Sequence, residues 1–100
     1  MSSPKPAVLS FAAEADYRDI LAYTDRTWGE KQYDVYASLL DKALDKIRRD
    51  PLANREWKAT HFRSLPAGKH RICYCIEDDR ICVLRILHQR MDAARHLERR

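Results

Sequence analysis

The chain has one hundred residues, 45% hydrophobic and 34% charged, with a formal net charge of +4 at neutral pH. That is enough for one domain, burying about 60–65% of its unfolded surface; it is too apolar for a disordered chain and too interrupted by charge for a membrane span. The small basic excess fits an ordinary solvated surface or an acidic partner, either a protein segment or nucleic acid.

Residues 1–6 contain no long apolar run. They predict a disordered lead-in with no secretory signal, and so a cytoplasmic protein with reduced thiols. Residues 7–11 form a short apolar run beside two prolines, which suits an edge strand. Ser10 then suits a helix N-cap, with Glu14 and Asp16 opposing the dipole of the first turn.

Apolar positions Ala13, Tyr17, Ile20, Leu21, Thr24 and Trp28 recur at three- and four-residue steps, predicting a helix over residues 12–28 that Gly29 stops. A second stripe of Tyr33, Tyr36, Leu40, Ala43, Leu44 and Ile47 predicts a helix over residues 30–49. Lys46, Arg48 and Arg49 sit at its negative dipole end, and Pro51 blocks continuation. So short a connection folds the two into an antiparallel hairpin.

Residues 51–61 read as a loop with a turn of helix near Trp57. A short strand over 62–65 is broken at Pro66. Two further strands, 69–76 and 80–88, are joined by the acidic turn Asp78-Asp79, and a short C-terminal helix runs over about 92–98 with Asp92 as its cap. The fold class is therefore α+β: an N-terminal strand and a two-helix hairpin packed on a small antiparallel sheet spanning about residues 62–88, in a single domain covering residues 1–100.

A turn centred on Asp78-Asp79 sets Ile76 opposite Ile81 and Cys75 opposite Cys82. One face of the strand pair then carries Ile72, Tyr74, Ile76, Ile81, Val83, Arg85 and Leu87; the other carries Cys73, Cys75, Cys82, Leu84 and Ile86. Both are largely apolar, yet the helices cover only one. The other is covered either by the N-terminal strand, the 51–61 loop and the tail, or by a partner chain.

Cys73, Cys75 and Cys82 include only one Cys-x-Cys pair, with His70 or His88 as a distant fourth ligand. No metal is assigned, and the cysteines read as small buried hydrophobes. Neither Ser38 nor Ser64 sits in a glycine-flanked turn, and two glycines cannot make a phosphate-binding loop. Arg63, Arg71, Arg85 and His88 are the parts that a metal-free ribonuclease would use, the arginines gripping phosphate and the histidine moving a proton. Solvated or ion-paired arginines explain the same residues without chemistry.

The order of several short motifs is more specific than any one of them. Leu9-Ser10-Phe11 leads into Ala15-Asp16-Tyr17-Arg18-Asp19-Ile20 and Tyr23; Trp28-Gly29 divides the helices, and Asp50-Pro51 ends the second. Arg63-Ser64-Leu65-Pro66-Ala67-Gly68-Lys69-His70-Arg71-Ile72 follows, and Val83-Leu84-Arg85-Ile86-Leu87-His88-Gln89-Arg90-Met91-Asp92 closes the core. Over roughly residues 7–97 this resembles ParE-type toxins of the RelE/ParE superfamily.

The resemblance implies a toxin of a type II toxin–antitoxin system that blocks DNA gyrase by binding, without catalysis or cofactor, and is neutralised by a ParD-like antitoxin. No sequence-specific contact with nucleic acid is expected. The related RelE branch, which cleaves messenger RNA on the ribosome, is the alternative, and an inert member is a third. No tyrosine follows Asp92, and Tyr74 lies mid-strand, which favours binding over cleavage. The candidate target surface is His88, Gln89, Arg90, Met91 and Asp92. The candidate antitoxin groove is Tyr23, Trp28, Val35 and Leu39, with Arg63 and Arg71 meeting acidic side chains.

Overall fold

The computed structural model describes residues 5–56 and 61–91. Strand β1 (Ala7–Leu9) is followed by helices α1 (Phe11–Trp28) and α2 (Glu30–Arg49) and a single 3-10 turn (Pro51–Ala53). Strands β2 (Arg63–Ala67), β3 (His70–Glu77) and β4 (Arg80–His88) complete the order. The strands form one sheet ordered β1-β4-β3-β2, so β1 and β2 are its edges. β2, β3 and β4 are antiparallel neighbours, as the sequence predicts, but β1 lies parallel to β4, which makes the sheet mixed. Parallel neighbours need a long crossover connection, and here everything from α1 to β3 separates them.

Ser10 carries two links of this construction. Its hydroxyl oxygen accepts from the Ala13 N–H at 3.0 Å, capping α1, and its own O–H donates to the Leu84 carbonyl at 2.9 Å, pinning the helix start to β4. A cap of this kind is worth about 1 kcal/mol. Gly29 separates the helices with φ of 94°. That backbone region favours glycine, and the single residue turns the chain without a longer loop.

The helices cover one face of the sheet over Leu21, Leu40, Ile47, Ile72, Tyr74 and Val83, all buried. Tyr74 is fully enclosed; its hydroxyl donates to the Pro51 carbonyl at 2.6 Å and accepts from Asn54 Nδ2 at 3.0 Å, fastening the 3-10 turn to the sheet. The opposite face carries a second buried cluster of Cys73, Cys75, Leu84 and Leu87, with Phe62 and Cys82 packed beside it. These four are buried within the chain itself, so they need no partner to cover them.

Several expectations change. β2 runs through Pro66 rather than stopping before it. As an edge strand it tolerates a residue that cannot donate to a ladder. The register near the turn is as read, with Cys75 opposite Cys82 and Ile76 opposite Ile81. It then shifts: Tyr74 pairs with Val83 but Cys73 with Arg85, leaving Leu84 as the extra residue of a bulge. Beyond the bulge the alternation inverts. Ile86 joins the helix-side core and Leu87 the opposite cluster, the reverse of an unbroken ladder.

The lead-in also changes at its end. Lys5 N–H donates to the Arg48 carbonyl and Ile81 N–H to the Pro6 carbonyl, so both residues are held. The rest of that lead-in, the turn near Trp57 and the C-terminal helix lie outside the described residues. Among those described, no helix is long and apolar enough to cross a membrane.

Candidate functional site

A cleft of about 790 Å³ opens where the helical hairpin meets the start of β3 and the end of β4. Asp16, Ile20, Tyr23 and Trp28 of α1 form one wall, with Gln32 and Tyr36 of α2 beside them. Lys69, His70, Arg85, His88 and Met91 form the other. One end is aromatic and apolar, since Tyr23 and Trp28 are 57% and 63% exposed and Met91 is also exposed. The other end is polar and rich in nitrogen donors.

That polar end is organised around Tyr36. Its hydroxyl oxygen accepts from the Lys69 N–H at 3.0 Å and lies 2.6 Å from His70 Nδ1, against 3.4 Å from the Ala67 carbonyl. The phenol has one proton to give and two candidate acceptors, so the direction of the Tyr36–His70 hydrogen bond follows the tautomer of the imidazole. Burial lowers the His70 pKa below its ordinary value, helped by the nearby His88 and Lys69 and opposed by Asp16. Burial also raises the pKa of the Tyr36 hydroxyl, against the Lys69 N–H that lowers it.

His70 and His88 are directly opposite on β3 and β4, with ring centroids 5.4 Å apart in an edge-to-face arrangement. His88 Nδ1 accepts from the Arg90 N–H at 3.1 Å, and the Met91 N–H donates to the His88 carbonyl at 2.9 Å, so the exit of β4 turns sharply. Gln89 holds that turn to the preceding loop, its side chain donating to the Gly68 carbonyl at 2.7 Å.

Arg63, Arg71 and Arg85 do not converge. Arg63 Nη1 donates to the Asn54 carbonyl at 2.6 Å and Arg71 Nη1 to Ser64 Oγ at 2.7 Å, both away from the cleft lining. Arg85 reaches the cleft but is held by both carboxylate oxygens of Asp16. Of the ribonuclease set, only Arg85 and His88 share the cleft. Of the target-surface set, His88 and Met91 line it, Gln89 and Arg90 are exposed beside it, and Asp92 lies outside the described residues. Of the groove set, Tyr23 and Trp28 line it; Val35 is exposed elsewhere on α2 and Leu39 packs against the core.

Sequence reasoning missed Tyr36 and His70 as the centre of the cleft, because a tyrosine in a helical apolar stripe reads as core. It also missed Glu77 as a neighbour of the thiols. Cys82 Sγ lies 3.2 Å from Glu77 Oε1, and the Cys82 thiol pKa is raised to about 11 by burial and by that carboxylate. Burial likewise raises Cys73 to about 11.

A model of the ParE toxin of type II toxin–antitoxin systems, parDE, matches residues 8–93. The chain belongs to the ParE toxin family. It is 34% identical over 95 residues to Toxin ParE1 of Caulobacter vibrioides, covering 93% of this chain and 98% of that one. It is 36% identical over 93 residues to Toxin ParE1 of Mycobacterium tuberculosis, covering 90% and 95%.

Among solved structures, a chain of the chromosomal ParDE system from P. aeruginosa superposes with a TM-score of 0.74 at 13% identity, covering 87% of this chain and 98% of that one. A chain of the RelBE2 toxin–antitoxin complex from Mycobacterium tuberculosis gives 0.64 at 18%, covering 87% and 100%. At such identities the superpositions speak to the fold. The chain shares its fold with both.

Proposed function

We propose that this ParE-family toxin acts in the cytoplasm by binding DNA gyrase rather than by cutting RNA, and that a ParD-like antitoxin neutralises it by occupying the cleft. The reading is supported chiefly by the arginines. A metal-free ribonuclease needs cationic groups free to meet a phosphate as charge develops on it. Arg85 is instead held by both oxygens of the Asp16 carboxylate, while Arg63 and Arg71, which donate to the Asn54 carbonyl and the Ser64 hydroxyl, lie outside the cleft that holds the histidines.

The antitoxin part rests on the cleft's two ends. An antitoxin segment that orders on binding places apolar side chains against Tyr23, Trp28 and Met91 and an acidic group near Lys69 and the two histidines. The relatives' membership of ParDE and RelBE systems supports an antitoxin as the occupant.

Purified protein added to DNA gyrase should inhibit supercoiling or trap cleaved DNA with no ribosome present. Cleavage of messenger RNA in a translating extract, with gyrase untouched, selects the alternative. That second reading draws on Tyr36, His70 and His88, a hydrogen-bonded phenol and two imidazoles in one cleft, which are suited to moving a proton. His70→Ala together with His88→Ala then abolishes RNA cleavage, whereas a binding toxin has no cleavage for them to remove.

A further inference from the structure

On the sheet face away from the helices, the β3–β4 hairpin brings together three side chains that the toxin reading leaves unused. Cys75 and Cys82 are direct partners across the strand pair, and Glu77 follows Cys75 by two positions, so all three side chains project from one face. Their donor atoms, two Sγ and one carboxylate oxygen, all lie within 4.8 Å of one another. Cys82 Sγ and Glu77 Oε1 are already 3.2 Å apart.

Those spacings are close to what a tetrahedral ion requires. With metal–sulfur bonds of about 2.3 Å and metal–oxygen bonds of about 2.0–2.2 Å, neighbouring ligand atoms in a tetrahedron sit roughly 3.5–3.8 Å apart. Glu77 is exposed, so its carboxylate can rotate towards the two sulfurs. The ligands come from an eight-residue segment closed by a tight turn, in which Asp78 takes a positive φ of 53°. Two of them are fixed in position by sheet pairing before any ion arrives.

We infer that Cys75, Cys82 and Glu77 form a binding site for a thiophilic divalent cation, zinc being the biological one. Two sulfur donors select against magnesium and calcium, and a mixed sulfur–oxygen set in a tetrahedral arrangement suits a zinc ion. Three protein ligands leave a fourth position. Cys82 is half-buried and Glu77 exposed, so that position faces outward, where water or a donor from another molecule can fill it. Cys73, two residues before Cys75, is fully enclosed and is not one of the ligands. The cation staples the tip of the hairpin and stabilises the folded chain by mass action.

Cobalt(II) titration of the full chain, stripped of metal and kept reduced, tests the site. One ion per chain is expected, with sulfur-to-cobalt charge-transfer absorption, the visible bands of a tetrahedral ion, and loss of both on adding zinc. Zinc should also raise the thermal midpoint of the wild type. Cys75→Ser and Cys82→Ser should each weaken binding at least tenfold and reduce the charge transfer, Glu77→Gln should weaken binding while keeping it, and Cys73→Ala should change neither. Circular dichroism establishes that each variant is folded. Absence of charge transfer in the wild type overturns the inference, as does charge transfer unchanged by Cys82→Ser or lost in a folded Cys73→Ala.

Discussion

Asp16 grips Arg85 with both carboxylate oxygens, Nε to Oδ2 at 2.8 Å and Nη2 to Oδ1 at 3.0 Å, and Oδ2 also accepts the Ile86 N–H at 2.9 Å. One side chain on the second turn of α1 thereby fixes the helix to β4 beyond the bulge and forms part of the cleft wall. Asp16→Ala leaves a partly buried guanidinium and a backbone N–H without their acceptor. Its expected cost is about 2–3 kcal/mol by chemical denaturation, below the loss for breaking a fully buried pair because Arg85 keeps some solvent. Asp16→Asn retains an oxygen for Ile86 and should cost about half as much. A double-mutant cycle with Arg85→Ala should show coupling above about 1 kcal/mol; additive losses would mean that the ion pair contributes little.

Gly68 sits directly beneath Tyr36, at φ of 60°, and a Cβ there would lie 2.8 Å from the Tyr36 hydroxyl oxygen. Gly68→Ala therefore meets both backbone strain and a clash with the group that organises the polar end of the cleft. A loss of about 1–3 kcal/mol is expected. Gly68→Ala in a Tyr36→Ala background separates the causes, since it removes the hydroxyl and the ring carbons that lie 2.8–3.1 Å from the new Cβ and leaves the backbone strain. Equal losses in the two backgrounds would place the whole effect in the backbone.

These two relationships mark where sequence reasoning stops. Ser10 as a cap, Gly29 as the divider and the turn at Asp78 are legible because each is a local rule acting over a few residues. The bulge at Leu84 is not, because apolar residues continue on both sides of it and nothing in their order marks the slip. The pairing of Asp16 with Arg85 is separated by 69 residues, and depends on how far α1 slides along β4, which no periodicity specifies. The cleft is hidden for the same reason. Tyr36 and His70 read as a core tyrosine and one cation among several until helix and strand are set side by side.

His70 gives the fold a defined acid sensitivity. Its pKa is lowered from 6.5 in the folded chain, first by burial and then by His88 and Lys69, with Asp16 acting the other way. Between the folded and the ordinary value, the unfolded chain therefore binds the extra proton. Stability from this group is fully present above about pH 6.5 and is lost as pH falls below it, through the folded pKa. Unfolding free energy should fall from pH 7 to pH 5.5, and His70→Gln should flatten that slope. A His70→Gln slope as steep as the wild type's would place the sensitivity in other groups.

The cleft itself is tested by two exposed apolar residues that the sequence treats alike and the structure separates. Trp28 lines the cleft at 63% exposure, and Val35, at 53%, lies on α2 outside it. Neither is needed by the core, so both alanine variants should keep stability within about 0.5 kcal/mol of wild type. Trp28→Ala should weaken capture of the antitoxin about 30-fold or more in calorimetry, as expected for a large aromatic side chain lost from an interface. Val35→Ala should change it less than about threefold. The opposite ranking would place the antitoxin along the outer surface of α2 and leave the cleft for another ligand.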